Sequence, residues 1–384
     1  MKNRIYLDHA ATTPLHADVL AAMLPYFREA GYNASSLHAE GRRSRAGLDQ
    51  ARDRVAAALG VARKEITFLA GGTEADNLAI LGAARANHER GRHVVSTEIE
   101  HHAVLHACDA LRDEGFEVTL LPVDERGLVD PAGFASALRS DTVLASVMFA
   151  NNEIGVLQPI AQLAAMARER GVLFHTDAVQ GVGLVRVYPR ELGVDLLSLS
   201  AHKFYGPKGV GVLYAREGVV LEPLIHGGGQ EFGRRSGTEN VAGVVGFAAA
   251  LERAVAEQPE RAARIGALRD RLEAGLRDCV DDMRVNGSGA PRLPNNSNLS
   301  FAGVDSETML MRMDLEGIAV SAGSACTSGA LEPSHVIAGL NIDPRWRQGV
   351  IRFSLGETTT EEEIDRVLEL VPRIAAELRG RALL

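Results

Sequence analysis

Thr142-Val-Leu-Ala-Ser-Val-Met-Phe149, Pro159-Ile-Ala-Gln-Leu-Ala-Ala-Met-Ala-Arg-Glu-Arg170 and Val172-Leu-Phe-His175 follow one another in the chain. The outer two are apolar runs of strand length, and Pro159 suits the first turn of a helix between them. Working outward, Glu65–Ala70, His93–Thr97, Glu117–Pro122 and Asp195–Ser200 also read as strands. Amphipathic segments lie between several of them. In Ser44–Leu59 the apolar positions Leu48, Ala51, Val55 and Leu59 return at helical spacing, and Gly60 supplies a stop. Strands that alternate with helices predict an α/β fold with a mainly parallel sheet covered on both faces. Val210–Tyr214 follows Gly206-Pro-Lys-Gly209 and predicts an antiparallel strand after a turn.

From about Arg253 the texture changes. Two long charged helical segments precede short strands at Asn298–Phe301, Ile318–Ser321 and Val350–Ser354. Thr360 with Glu363 has the form of a capping box that opens a last helix to about Arg379. A chain of 384 residues exceeds one small core, so a large domain and a smaller one are expected, with the boundary in this region.

Composition narrows the partners. The chain is 46% hydrophobic and 24% charged, as an ordinary globular protein is. A net charge of -9 without a basic block argues against nucleic acid and anionic membranes and serves solubility. Met1 to Asp8 lack the apolar core of a signal peptide. No stretch reaches the roughly 18 apolar residues that span a bilayer. The longest, Val241–Leu251, is too short and holds two glycines. Cys108, Cys279 and Cys326 are the only cysteines and form no CxxC pair, which speaks against disulfides and a cysteine zinc site. A cytoplasmic location is expected.

Ligands in open parallel sheets sit beyond the carboxyl ends of strands, and five strand exits carry polar clusters. Ala70-Gly-Gly-Thr-Glu-Ala-Asp-Asn77 opens a helix whose free N–H groups suit a phosphate, or whose Thr73 is simply a cap. Glu100-His101-His102 suggests a metal, yet neighbouring histidines diverge on a strand or a helix, so one histidine facing an aromatic cofactor is more economical. Asn151-Asn152-Glu153-Ile154-Gly155 reads as a turn. Asp177, in His175-Thr-Asp177-Ala-Val-Gln180, is poorly solvated and needs a cationic partner, either a structural one or a protonated pyridine. In Ser198-Leu-Ser-Ala-His-Lys203, Lys203 has no acidic neighbour within several residues. It is either a surface lysine or, with Ser200 and His202 beside it, a nucleophile in a polar pocket. Ser236-Gly-Thr-Glu-Asn240, after Arg234-Arg235, is an anion site or a solvated turn. Ser321-Ala-Gly-Ser-Ala-Cys326-Thr-Ser-Gly329 is a run of small residues that packs little core and reads as a mobile loop with an exposed cysteine, whereas Cys108 and Cys279 read as structural.

Taken in order, Gly72-Thr73-Glu74, Glu100-His101, Asn151 to Gly155, Asp177 to Gln180, Ser200 to Lys203, Arg235-Ser-Gly-Thr238 and Ser324-Ala-Cys326-Thr327-Ser328 resemble the cysteine desulfurases of the NifS/IscS type, in the class V aminotransferase group. The resemblance covers nearly the whole chain, from Tyr6-Leu-Asp-His-Ala-Ala-Thr-Thr-Pro14 onward. It implies the α/β architecture of pyridoxal phosphate (PLP) transferases of fold-type I. Residues 13–255 would form a large PLP-binding domain with a mainly parallel seven-stranded sheet. Residues 1–12 and 256–384 would form a smaller α+β domain that carries the mobile Cys326 loop.

The resemblance also implies roles. Lys203 carries pyridoxal 5'-phosphate and later takes the Cα proton of L-cysteine. His101 stacks on the cofactor ring, Asp177 pairs with its nitrogen and Gln180 contacts its phenolic oxygen. Gly72, Thr73, Ser200 and His202 hold the phosphate, with Thr238 reaching in from the second subunit of a homodimer. Asn152 lies beside the ring and Arg352 binds the substrate carboxylate. Cys326 accepts sulfur as a persulfide while L-alanine leaves. No resident metal is implied, although that persulfide is able to bridge an iron–sulfur cluster. Cys326-Thr-Ser-Gly-Ala-Leu-Glu-Pro333 resembles the longer loop of enzymes that serve iron–sulfur scaffolds, but the chain stops at Leu384 without the longer tail that some of them use for docking, which leaves the sulfur acceptor protein open. Selenocysteine lyase shares the fold and cofactor and is the alternative. A hydrolase is suggested only by His226-Gly-Gly-Gly229, and no G-x-S-x-G accompanies it. A non-catalytic sulfur-binding protein would not need both Lys203 and Cys326.

Overall fold

The computed structural model describes residues 4–323 and 334–381, so Cys326 and its neighbours from Ser324 to Pro333 lie outside the described residues. The strands are β1 (Ile5–Tyr6), β2 (Ile66–Leu69), β3 (His93–Thr97), β4 (Glu117–Leu121), β5 (Thr142–Ser146), β6 (Leu173–Asp177), β7 (Leu196–Ser200), β8 (Gly211–Ala215), β9 (Met283–Val285), β10 (Asn296–Phe301), β11 (Ile318–Ala319) and β12 (Val350–Ser354). Seven of them form the main sheet, in the order β2-β8-β7-β6-β5-β3-β4. Only β8 runs against its neighbours. The link from Ser200 to Gly211 is short enough for a hairpin, whereas a parallel return needs a crossover of about a dozen residues or more.

Both faces of this sheet are buried, and the side chains divide with period two. Leu197, Leu199, Val212 and Tyr214 face the helices Ala39–Leu59 and Val241–Ala256. Leu196, Leu213 and Ala215 face the opposite way, in one cluster with Val104, Ala107 and Leu111 of the helix His102–Asp113. Val241–Leu251, the longest apolar stretch, is therefore a core helix that packs on Ala39–Leu59. Among the described residues no helix is long and apolar enough to cross a membrane.

A second core gathers Ile5 and Leu7 with residues from 265 to 378. It holds the antiparallel sheet β12-β10-β9, the parallel pair β1-β11 and the helices Gln258–Cys279, Ser306–Leu315 and Glu361–Arg381. Where two charged helices are expected beyond Arg253, one unbroken helix runs from Gln258 to Cys279, and only Glu257 separates it from the helix before. Pro259 sits in its first turn, where the missing N–H costs nothing.

The helix at Ala39–Leu59 starts five residues earlier than its apolar spacing shows, because its first turns are charged and His38 caps them. Gly60 ends it in the left-handed region at φ 66°. The capping box is present: Thr360 Oγ1 accepts from the Glu363 N–H at 3.3 Å, and Glu363 Oε2 accepts from the Thr360 N–H at 3.1 Å.

Candidate active site

Five strands deliver their exits to one place. Gly72 and Thr73 follow β2, His101 follows β3, Asn152 follows β5, Asp177 ends β6 and Gln180 follows it, and Ser200, His202 and Lys203 close β7. All of them line one cavity of about 230 Å³, joined by Ala10, Ala11, Asp76, Met148 and Arg352.

Lys203 ends a single tight turn, Ala201–Lys203. Its Nζ donates to the carbonyl oxygens of Ala10 (2.5 Å) and Ala11 (2.8 Å). Gln180 Nε2 donates to the same Ala10 oxygen at 3.0 Å. The segment after β1 thus forms the wall beside the lysine. His202 Nδ1 lies 3.1 Å from Thr12 Oγ1. Burial, and then the positive charge of Lys203 and Lys208, push the His202 imidazole down to about 4, so it is neutral at neutral pH.

At the other end of the cavity Gly71, not Thr73, occupies the N-cap of the helix Gly72–Asn77, and no side chain caps it. The N–H groups of that turn are left for a ligand. A Cβ on Gly72 would lie 2.9 Å from Val179 Cγ2, so a larger residue there would have to push Val179 aside. A Cβ on Gly211 of β8 would lie 2.5 Å from the Gly71 carbonyl carbon. Backbone N–H groups, two hydroxyls (Thr73, Ser200) and a neutral imidazole are a donor set that fits a phosphate ester.

Asp177 is 7% exposed, and its Oδ1 accepts from the Val179 N–H at 2.9 Å. Burial raises its carboxyl pKa, while His101, that N–H and Lys203 act to lower it. Because β6 extends two residues past the expected end, Asp177 is held by the strand rather than by a loop. His101 is the N-cap of His102–Asp113, with Nδ1 accepting from the Ala103 N–H at 3.2 Å. Its pKa is lowered, chiefly by burial, with Asp177 opposing and Lys203 adding. A neutral ring and a buried carboxylate across one cavity fit a planar, protonated pyridine.

Arg352, in the middle of β12, is 1% exposed. Its Nη2 pairs with Asp8 Oδ1 at 2.7 Å and its Nη1 donates to the Asn152 carbonyl at 2.9 Å. Ser321 Oγ donates to the same Asp8 oxygen at 2.9 Å. This is a fixed cation at the edge of the cavity, suited to a carboxylate.

Not every expected residue joins them. Thr238 lines a separate cavity of about 110 Å³ with Arg235 and Gly237. Arg235 is committed to Glu74 at 3.0 Å. His102 turns away from His101 and packs against His106 and His335, with ring centroids 5.2 and 4.6 Å apart. His226 to Gly229 line no part of the main cavity. Sequence reasoning missed Asp8, Ala10, Ala11 and Asp76. The carbonyls of Ala10 and Ala11 leave no trace in residue type, whereas Asp76, one helical turn beyond Gly72 and Thr73, was open to a periodicity argument.

The aminotransferase class-V model matches residues 5–367. The cysteine desulfurase IscS of Dictyoglomus turgidum is 50% identical over 379 residues, covering 99% of this chain and 96% of that relative. The cysteine desulfurase NifS of Azotobacter vinelandii is 47% identical over 377 residues, covering 98% and 94%. Among solved structures, a NifS-like protein superposes with a TM-score of 0.91 at 38% identity, over 97% of this chain and 100% of that one. The chain belongs to the class-V aminotransferase family, a group of fold-type I enzymes that work with pyridoxal phosphate.

Proposed function

We propose that the chain is a cysteine desulfurase that moves the sulfur of L-cysteine onto Cys326 and releases L-alanine. The observation that carries this reading is the placement of Lys203, Asp177, His101 and Arg352 around one cavity, in a chain half identical to named cysteine desulfurases. Pyridoxal phosphate, when bound, supplies an acceptor for the negative charge left when a bond to Cα breaks. Gly72, Thr73, Ser200 and His202 hold its phosphate, Gln180 and Asn152 border its ring, and Lys203 anchors it through Nζ. Arg352 orients the substrate by its carboxylate. Once the substrate amine has taken its place, Lys203 Nζ would be free to take the Cα proton, and His101, in the same cavity, would hold or pass protons. The Cys326 thiolate would attack the substrate sulfur, an S–S bond forming as the C–S bond breaks, and these same groups would supply one proton to Cβ and return one to Cα to complete alanine. Cys326 lies three residues beyond Gly323, whose neighbour Ala322 follows the Ser321 that pairs with β12 at Arg352.

The active unit in this reading is a cytoplasmic homodimer in which Thr238 serves the partner's phosphate site. Two features support it: Thr238 lines no part of its own main cavity, and Leu20, Leu24, Phe27 and Leu37 are exposed. The onward acceptor is a sulfur-carrier protein, with an iron–sulfur scaffold the first choice because IscS and NifS are the names of the relatives.

The test is Cys326→Ala. This variant is expected to bind cysteine and change the cofactor absorbance, yet to release no sulfide when a reductant is present. Full sulfide turnover by the variant overturns the assignment, and a strong preference for selenocysteine over cysteine in the parent enzyme would move it to selenocysteine lyase.

A further inference from the structure

Behind Asp177 lies a second acid that the reaction does not use. Asp76, on the helix Gly72–Asn77, borders the main cavity and is 1% exposed. Among the described residues no arginine or lysine pairs with it, and its Oδ1 has no hydrogen-bond partner. The nearest titratable groups are His175 and Asp177 of β6 and Glu100 at the turn after β3. His175 Nε2 stands 3.7 Å from Asp76 Oδ1, but both of its ring nitrogens are already engaged: Nδ1 with Ser146 Oγ at 2.8 Å and Nε2 with Ser198 Oγ at 2.9 Å. His175 is fully buried, which pushes its imidazole down to about 3 and leaves it neutral. Asp76, Asp177 and Glu100 are thus three buried carboxyls close together, and among the described residues no arginine or lysine forms an ion pair with Asp76. Two neighbouring acids in such a place do not both ionise.

Which of the two keeps the proton follows from their surroundings. Asp177 has the Val179 N–H, His101 and Lys203 to stabilise its charge. Asp76 has only the Ser198 hydroxyl, and burial followed by the Asp177 charge raises its pKa well above the usual range. Ser198 stands opposite Asp177 in the β6–β7 ladder, and its hydroxyl also reaches His175, so Asp76 touches the support of β6 through one side chain.

The geometry points to Asp76 as a positioning residue of the cofactor site: a carboxylic acid that keeps its proton, anchors the Ser198–His175 chain beneath β6, and leaves Asp177 as the one anion of the buried pair. This rests on the reading of Asp177 as the partner of the cofactor ring nitrogen.

The test uses holoenzyme and the variants Asp76→Asn, Asp76→Ala and Asp177→Asn. Asparagine reproduces the shape and the donor–acceptor pattern of a protonated aspartate. The infrared difference spectrum of parent minus Asp76→Asn is expected to show a protonated-carboxyl C=O band that shifts in D2O, and its absence overturns the proposal. The pH midpoint of the cofactor absorbance is expected to move by less than about 0.3 unit in Asp76→Asn, whereas a move of about one unit or more means that a charge was removed and overturns it. Cofactor release is expected to stay within about threefold in Asp76→Asn and to be at least about tenfold faster in Asp76→Ala, where the polar chain loses its anchor. Release from Asp76→Ala at the parent rate removes the positioning role. If that variant does not fold, Ser198→Ala, which cuts the chain between Asp76 and His175, is read in its place with the same two outcomes. Asp177→Asn separates the readings: unchanged midpoint and release there sink the role of Asp177, while the infrared band still reports on Asp76 alone.

Discussion

Glu100 is wholly buried, and its carboxylate oxygen Oε1 accepts from the Met148 N–H and the Thr97 hydroxyl, both at 2.8 Å. Burial outweighs those bonds and pushes the carboxyl up to about 8. The folded chain therefore keeps a proton that the unfolded chain gives up above its ordinary value, and the stabilisation is full at low pH and lost as pH rises through about 8. Glu100→Gln removes that dependence. The stability of the variant relative to the parent is expected to grow between about pH 5 and pH 8, by roughly 1.4 kcal/mol per pH unit at most, and then level off. Calorimetry across that range checks it, and a difference that does not change with pH would show Glu100 ionised in the fold. Arg352→Lys tests the other end of the cavity. A lysine cannot hold Asp8, the Asn152 carbonyl and a carboxylate at once, so KM for cysteine is expected to rise about tenfold or more with a smaller change in kcat. At this scale, Lys203, Asp177 and His101 stood out as polar residues at strand exits, and the family resemblance joined them into one site and added Arg352, which lies inside β12 rather than at an exit. The partners that hold them were not. Asp8 sits at the far end of the chain from Arg352, and the groups that receive Lys203 are backbone carbonyls that any residue carries.

Among the elements, β8 does the most to shape the site without touching the substrate. It lies between β2 and β7, and its Gly211 lets the Gly71 backbone come close. Gly211→Ala would set a methyl group 2.5 Å from the Gly71 carbonyl carbon, and backbone on both sides leaves no side chain to give way. The expected result is a folded protein that binds pyridoxal phosphate at least about tenfold more weakly, measured by titration of the apoenzyme. Retained affinity would mean that the Gly71–Gly72 turn is not the phosphate cradle. The run of β2 to β8 was readable from apolar stretches of strand length: β3 has the expected ends, and no other end is shifted by more than three residues. The start of Ala39–Leu59 was hidden by its charged first turns, and the single helix Gln258–Cys279 was read as two segments because its polar face is wide and its apolar positions are sparse.

For the whole molecule, the distinctive expectation concerns shared sites. If Thr238 serves its partner, a hybrid dimer of one Lys203→Ala chain and one Thr238→Ala chain has one site with both residues intact. Mixing and reassociating the two variants is expected to restore sulfide release to about half the parent level per hybrid. No recovery would place Thr238 in the site of its own chain. The pairing of β1 with β11 escaped the sequence because two-residue strands carry no periodicity, yet it holds the segment that puts Ile5 and Leu7 into the second core just before Ala10 reaches Lys203. The partner choice of β2 has a further consequence, for how the chain is made. Among the described residues β2 pairs only with β8, Ile66 opposite Tyr214, and the Gly71–Gly72 turn lies close against Gly211. On the ribosome, β2 emerges long before β8 exists, and it waits as an unpaired apolar strand, a contact order that slows folding and invites chaperones. The nascent chain has no cradle for its cofactor until more than half of it has been translated, so uptake of pyridoxal phosphate has to follow the arrival of β8.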